Sequence, residues 1–174
     1  LRVAERPKQQ AGMLSLPVLL DGKAEILKFD AQDPLLDQSD PQQVRYDSEH
    51  YPSTLSHLRL FNSPDGLRFE DTRRQLLIGT GGYASFGVED CRLSCMHSGE
   101  YVLTYTTAAS NGQRMGLRRT RDWQLFAHEG MIFLPNYKEC AIFEEPVQGR
   151  YACLCRPSDP NTADHTIWLS FSDD

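Results

Sequence analysis

The chain has 174 residues, 40% of them hydrophobic and 24% charged, with a formal net charge of −6. This is the make-up of a globular domain with a sizeable core. The acidic balance, without any basic block, argues against nucleic acid as the main partner, and no apolar run approaches the roughly 20 residues of a membrane span.

Leu1-Arg2-Val3 runs into charged residues rather than an apolar stretch, so no secretory leader is expected. Without an initiator Met, the true N-terminus is expected upstream. The first fifty residues are polar and Pro-rich, with breaks at Asp33-Pro34 and Asp40-Pro41. They read as extended segments and loops, not as an independent domain. From about residue 55 strand-like alternation dominates and the helical period is nearly absent. Turn chemistry punctuates it at Asn62-Ser63-Pro64-Asp65-Gly66, His97-Ser98-Gly99, Ser110-Asn111-Gly112 and Gln148-Gly149. Hairpins are predicted over 92–107, around Ser98-Gly99, and over 141–155, around Gly149.

The five cysteines are Cys91, Cys95, Cys140, Cys153 and Cys155. An odd number without framework spacing points to reduced thiols and a cytoplasmic protein. Cys153 and Cys155 lie two apart on a predicted strand and therefore share a face. Small buried hydrophobes explain that pattern better than a metal or redox site, because no Cys-x-x-Cys pair occurs and the histidines are scattered.

A weak internal repeat organises the chain. Leu58–Gly66, Met115–Trp123 and Trp168–Asp174 each run from an apolar strand into a Ser/Thr-x-Asp turn. Ser63 and Thr120 are 57 residues apart, and Thr120 and Ser172 are 52 apart. Periods of about 50 residues with several short strands per unit are those of propeller blades. One full blade is predicted from strands near 92–96, 101–107, 114–120 and 125–133, and a further one begins near 140. The expected fold is all-β: residues 1–174 as a single partial β-propeller catalytic domain, with 1–50 as N-terminal segments and 51–174 as blade repeats. It covers about three blades, whereas a propeller needs about four to close. The chain is therefore expected to be a fragment, or to close as a homo-oligomer, with its last strand edge covered.

The chemistry concentrates at Gly87-Val88-Glu89-Asp90-Cys91-Arg92-Leu93, just ahead of the alternating run Tyr101–Thr106. Two acids beside an arginine at a strand mouth are one way to build a sugar-cleaving site. This element, together with Ser56-His57-Leu58-Arg59-Leu60, Ser63-x-Asp65-Gly66, Tyr101-x-Leu103-Thr104-Tyr105, Asn136-x-Lys138, Arg156-Pro157 and Ile167-Trp168-Leu169-Ser170, resembles glycoside hydrolase family 130. The resemblance covers nearly the whole chain in order. It implies a five-bladed propeller and an enzyme acting on β-mannosides, largely by inverting phosphorolysis to mannose 1-phosphate and in some members by hydrolysis.

Inverting cleavage needs an acid for the leaving oxygen and a nucleophile on the opposite sugar face. In a phosphorylase inorganic phosphate is the nucleophile, so the protein supplies cations instead of a second carboxylate base. The resemblance gives Asp90 the acid role, with the proton passing through a sugar hydroxyl. Such an acid must stay protonated part of the time near neutral pH, which burial or a neighbour such as Glu89 would favour. Without the resemblance, an Asp that caps a turn or pairs with Arg92 would be the better reading.

The resemblance also puts Lys138 near the phosphate and Arg156 in a His-Arg-Pro element. Arg59 and Arg114 are further candidates for sugar or phosphate contacts. Taken singly, each such cation is more often a solvated surface charge. Tyr83 and Tyr105 are candidates for stacking on sugar rings, and Tyr105 reads equally well as blade core. Departures from the family pattern are Cys91 for Pro, Cys155 for His, Glu144-Glu145-Pro146 for Pro-Glu-Lys, and Gln42 after Asp40-Pro41 where Arg is usual. They leave open an inverting β-mannosidase or a non-catalytic propeller that binds sugar or protein. Another five-bladed glycosidase clan would need an early nucleophilic Asp, for which Asp30, Asp33, Asp37 and Asp40 are candidates. No metal or other cofactor is expected; the expected partners are a β-mannoside oligosaccharide and inorganic phosphate.

Overall fold

The computed structural model describes residues 2–20, 23–79, 82–158 and 166–174, without the side chains of residues 2, 3, 75, 76, 128 and 129. Leu1, part of the N-terminal reading, lies outside the described residues. Every regular element described is a β-strand. The strands fall into two compact units, Leu1–Glu89 with Ala108–Asn111, and Asp90–Thr107 with Gly112–Asp174.

In the first unit the order is β1 (Arg2–Glu5), β2 (Lys8–Gln10), β3 (Met13–Leu20), β4 (Lys23–Asp30), β5 (Leu36–Asp37), β6 (Gln43–Tyr46), β7 (Glu49–Pro52), β8 (Leu55–Asn62) and β9 (Glu70–Leu77). Two antiparallel sheets, β2-β3-β4 and β5-β6-β7, organise the part expected to be extended segments and loops. The reason is legible afterwards. In β3 the alternate residues Leu14, Leu16 and Val18 point inward and pack with Val44 of β6, against Leu27, Phe29, Leu36 and Tyr51. The Asp-Pro pairs do not dissolve these strands; they end them.

The four aspartates between β4 and β6 close the connecting turns. Asp30, Asp33, Asp37 and Asp40 each accept the backbone N–H of the residue two further on, at 2.8–2.9 Å. That is the Asx-turn bond, a local folding role for each carboxylate.

β8 pairs antiparallel with β1 and β9, and at Ser56 it pairs parallel with Gly87, the first residue of β10 (Gly87–Cys95). In the second unit β10, β11 (Tyr101–Ala109), β12 (Gly112–Thr120) and β13 (Ala127–Met131) lie side by side in chain order. They correspond to the full blade predicted from the sequence. The Ser98-Gly99 turn closes as expected, with Gly99 N–H donating to the Met96 carbonyl at 2.8 Å.

A second sheet of this unit contains β14 (Tyr137–Ile142), β15 (Tyr151–Pro157) and β16 (Trp168–Ser172), all antiparallel. Gln148 and Gly149 turn the β14–β15 hairpin with φ of 53° and 79°. Its core joins Met115 with Cys140, Cys153 and Cys155. Cys153 and Cys155 thus share a buried face, as small hydrophobes do. Among the described residues no group of three or more His, Cys, Asp or Glu could hold a metal ion. β16 is the outer strand of its sheet and exposes Trp168, Leu169 and Phe171.

The repeat has a physical basis. Asp65 Oδ1 accepts the N–H groups of Leu67 and Arg68, both at 2.9 Å, while Ser63 Oγ accepts that of Gly66. Asp122 Oδ1 accepts those of Gln124 and Leu125, at 2.8 and 2.9 Å, while Thr120 Oγ1 accepts that of Trp123. Ser172 and Asp174 make the start of the same turn.

Candidate active site

The strand bearing Asp90 is anchored by its first residue. Gly87 has φ 101°, and a Cβ there would overlap the Ser56 carbonyl oxygen. Only glycine lets β10 approach β8 this closely with that backbone. Three residues on, Asp90 is half-buried and itself left-handed, with φ 51°. A non-glycine residue in that region is uncommon, and Asp is among those that tolerate it.

Lys138 and Arg156 face each other across the β14–β15 ladder. Beyond them the register slips. Lys138 pairs with Arg156 but Ala141 pairs with Leu154, so Glu139 and Cys140 together oppose Cys155. This is a β-bulge, and Glu139 takes φ 58° within it. Its carboxylate accepts two bonds from one guanidinium, Arg156 Nε–H to Oε2 at 2.7 Å and Nη2–H to Oε1 at 3.0 Å.

The charges around this pair define the site. Hydrogen bonding from Arg156 holds the Glu139 carboxyl below its ordinary value, and the charges of Arg156, Lys138 and Arg92 add to the effect. Arg156 is held above its ordinary value, mainly by Glu139 and also by the carboxylate of Asp90. Three cations and two carboxylates therefore lie within electrostatic reach of one another in the second unit, and the excess of cations suits an anion.

Arg114 lies on β12 next to Gln113 and Met115, which contact the segment leading into β14: Asn136 N–H donates to the Gln113 carbonyl at 2.8 Å, and Met115 packs on Cys140. Tyr105 corrects the stacking expectation. It is 3% exposed, and its ring covers Gly116, where an added Cβ would sit 2.5 Å from two ring atoms. It is blade core. Three candidates belong to the first unit. Arg59 pairs with Asp71 at 3.0 Å, Tyr83 is 52% exposed, and Glu89 is half-buried.

Cys155, which stands where the family resemblance expects His, is buried and within 3.3 Å of Ser170 Oγ. Glu145 lies 3.6 Å from His97, and Glu144 accepts the Cys95 N–H at 3.3 Å.

No protein-family model matches the sequence. The chain is similar over its whole length to a mannoside phosphorylase. It is 29% identical, over 181 aligned residues, to β-1,2-mannobiose phosphorylase of Listeria innocua, all of this chain aligning with 51% of that protein. The solved complex of the Listeria innocua enzyme with β-1,2-mannobiose superposes with a TM-score of 0.83 at 29% identity, over 99% of this chain and 51% of that one.

More distant neighbours share the fold. A structure from the GH130 family of mannoside phosphorylases, reported with glycoside hydrolases that target β-1,2 mannosidic linkages in Candida mannan, gives 0.58 at 14% identity, over 97% of this chain and 45% of that one. A glycosyl hydrolase from Bacteroides ovatus gives 0.58 at 15%, over 97% and 45%. The chain is thus an all-β, propeller-type chain that resembles glycoside hydrolase family 130, and it spans about half the length of the curated relative it matches.

The sequence reading missed Glu139 and gave Arg92 no role beyond pairing with Asp90. Glu139 adjoins Lys138, so a signal was present, but the bulge that turns it onto Arg156 has no sequence mark.

Proposed function

We propose that this chain contributes the acid and the anion-binding cations of an inverting glycoside phosphorylase that cleaves β-mannosides with inorganic phosphate, giving mannose 1-phosphate. The observation that carries the reading is the grouping of Asp90 with Arg156 and Lys138 in one unit. Asp90 protonates the departing glycosidic oxygen by way of a sugar hydroxyl. Arg156 and Lys138 hold phosphate on the opposite face of the sugar, where their charge offsets that of the nucleophile.

The state of Glu139 favours phosphate over water as nucleophile. A hydrolase needs a second carboxylate as general base. Within the second unit Glu139 is the carboxylate bonded to Arg156, and those two bonds make it a poor proton acceptor. The reaction takes phosphate as co-substrate and needs no further cofactor. Five free thiols, three of them buried, support a cytoplasmic location.

The test is product analysis of β-1,2-mannobiose, β-1,4-mannobiose and mannosyl-glucose with and without inorganic phosphate. Mannose 1-phosphate formed only with phosphate is the expected result. Free mannose at equal rates in both conditions would replace phosphorolysis by hydrolysis. No product from any of the three would overturn an enzymatic role for this chain as it stands.

A further inference from the structure

We propose that Glu139 is a positioning residue: it fixes the Arg156 guanidinium so that its remaining N–H donors face an anion bound beside Asp90. The inference rests on the phosphorylase reading and adds to it a residue that touches neither sugar nor phosphate.

Geometry supplies the first support. A guanidinium has five N–H donors in a rigid plane. Glu139 takes Nε–H and one Nη2–H, at 2.7 and 3.0 Å. The two bonds fix the plane of the fork and leave the Nη1 amino group and the other Nη2 hydrogen for another acceptor. A single bond would let the group rotate.

The second support is the cost of the backbone conformation. Glu139 has φ 58°, a region costly for a residue with a long side chain, and it sits in a bulge. The ion pair it forms is partly solvated, with side chains 23% and 37% exposed for Arg156 and Glu139. Partly solvated pairs contribute modestly to folding, a bidentate one more than most. A residue held in a costly conformation, with its carboxylate committed to one edge of a guanidinium, is well explained by what it orients.

Charge supplies the third. Lys138 and Arg92 act on the same carboxylate as Arg156. Glu139 relieves the repulsion among the three cations without neutralising them, so the neighbourhood keeps a positive balance for an incoming anion.

Glu139→Asn is the variant of choice, because Asn tolerates a left-handed backbone while its short amide cannot replace the carboxylate. Glu139→Gly is the second variant, and Glu139→Asp the conservative rescue. We expect melting temperatures close to wild type for the Asn and Gly variants, because relief of the left-handed backbone offsets the lost ion pair. Their KM for phosphate should rise about tenfold, with kcat within about threefold, and the Asp variant should recover part of the loss. The Arg156 Nε–H resonance should exchange slowly in the wild type and be lost to fast exchange in both the Asn and Gly variants.

A fall in melting temperature that accounts for the lost activity would make Glu139 merely structural. An unchanged KM for phosphate in a chain that uses phosphate would overturn the inference and leave the phosphorylase reading standing. If the wild type makes no use of phosphate, that reading fails on its own. The Nε–H signal then decides the pairing, and its persistence in Glu139→Asn overturns it.

Discussion

Gly87 lies against the backbone of Ser56 so closely that any side chain at residue 87 would overlap the Ser56 carbonyl oxygen. The contact ties the start of the Asp90 strand to β8, and it explains why the Gly-Val-Glu-Asp run opens on glycine. With φ 101°, residue 87 is also in a conformation that L side chains rarely adopt. Both penalties fall on backbone atoms, which cannot swing aside. Gly87→Ala is therefore expected to cost at least about 1–3 kcal/mol from the backbone conformation alone, with the overlap added. Thermal melting checks this, and a melting temperature equal to wild type would show that β8 and β10 are not held by this contact.

Tyr105 and Gly116 form the corresponding contact inside the second unit. The ring is buried and occupies the space a Gly116 side chain would take. Tyr105→Ala should cost about 3–5 kcal/mol, as large-to-small changes in a packed core do. Gly116→Ala should also destabilise, because its Cβ meets an immobile ring. A Tyr105→Phe variant with wild-type stability and an unchanged KM for mannoside is expected. A raised KM without loss of stability would return Tyr105 to the sugar site.

How far the sequence discloses this molecule depends on which interactions are local. The Ser/Thr-x-Asp turns are bonds among neighbours, so Asp65 and Asp122 could be recognised from spacing. The Ser98-Gly99 and Gln148-Gly149 hairpins are likewise set by turn residues. The sheets of residues 8–52 were obscured because Asp33-Pro34 and Asp40-Pro41 outweighed the alternation of Leu14, Leu16 and Val18. The candidate site was half legible. Residue types and the family resemblance marked Asp90, Lys138 and Arg156. The role of Glu139 depends on a one-residue slip between β14 and β15, a tertiary property with no local signature. Tyr105 lies on a strand with both faces buried, where alternation cannot separate core from cavity.

The two aspartate turns give the fold an acid limit. Backbone N–H bonds hold the carboxyls of Asp65 and Asp122 below their ordinary values, with Arg68 the first donor for Asp65 and Leu125 for Asp122. A folded pKa below the unfolded one means stability that is fully present above the unfolded pKa. It is lost as pH falls through the folded value. Asp122→Ala should thus lower the melting temperature at neutral pH, and the gap to wild type should narrow as pH falls from the ordinary Asp range through the lower folded value. Glu139 carries the same sign through its bonds from Arg156. None of these groups contributes a slope between about pH 6 and 8, so any change in stability there must come from elsewhere.

Asp90→Asn separates chemistry from folding. Asn is at least as well suited as Asp to φ 51°, so the backbone of the acid strand should be retained. The amide has no proton to give the leaving oxygen, and it removes one negative charge beside Arg156. Turnover should fall about 10²–10⁴-fold, the usual contribution of a positioned general acid. Phosphate binding should hold or tighten, because the cations face one carboxylate fewer. Single-turnover kinetics together with calorimetric titration of inorganic phosphate measure the two effects independently. Turnover within about threefold of wild type would remove Asp90 from the acid role and return it to the part of a turn-capping residue. Parallel loss of phosphate binding and turnover would instead mean that the carboxylate is needed to hold Arg156 in place.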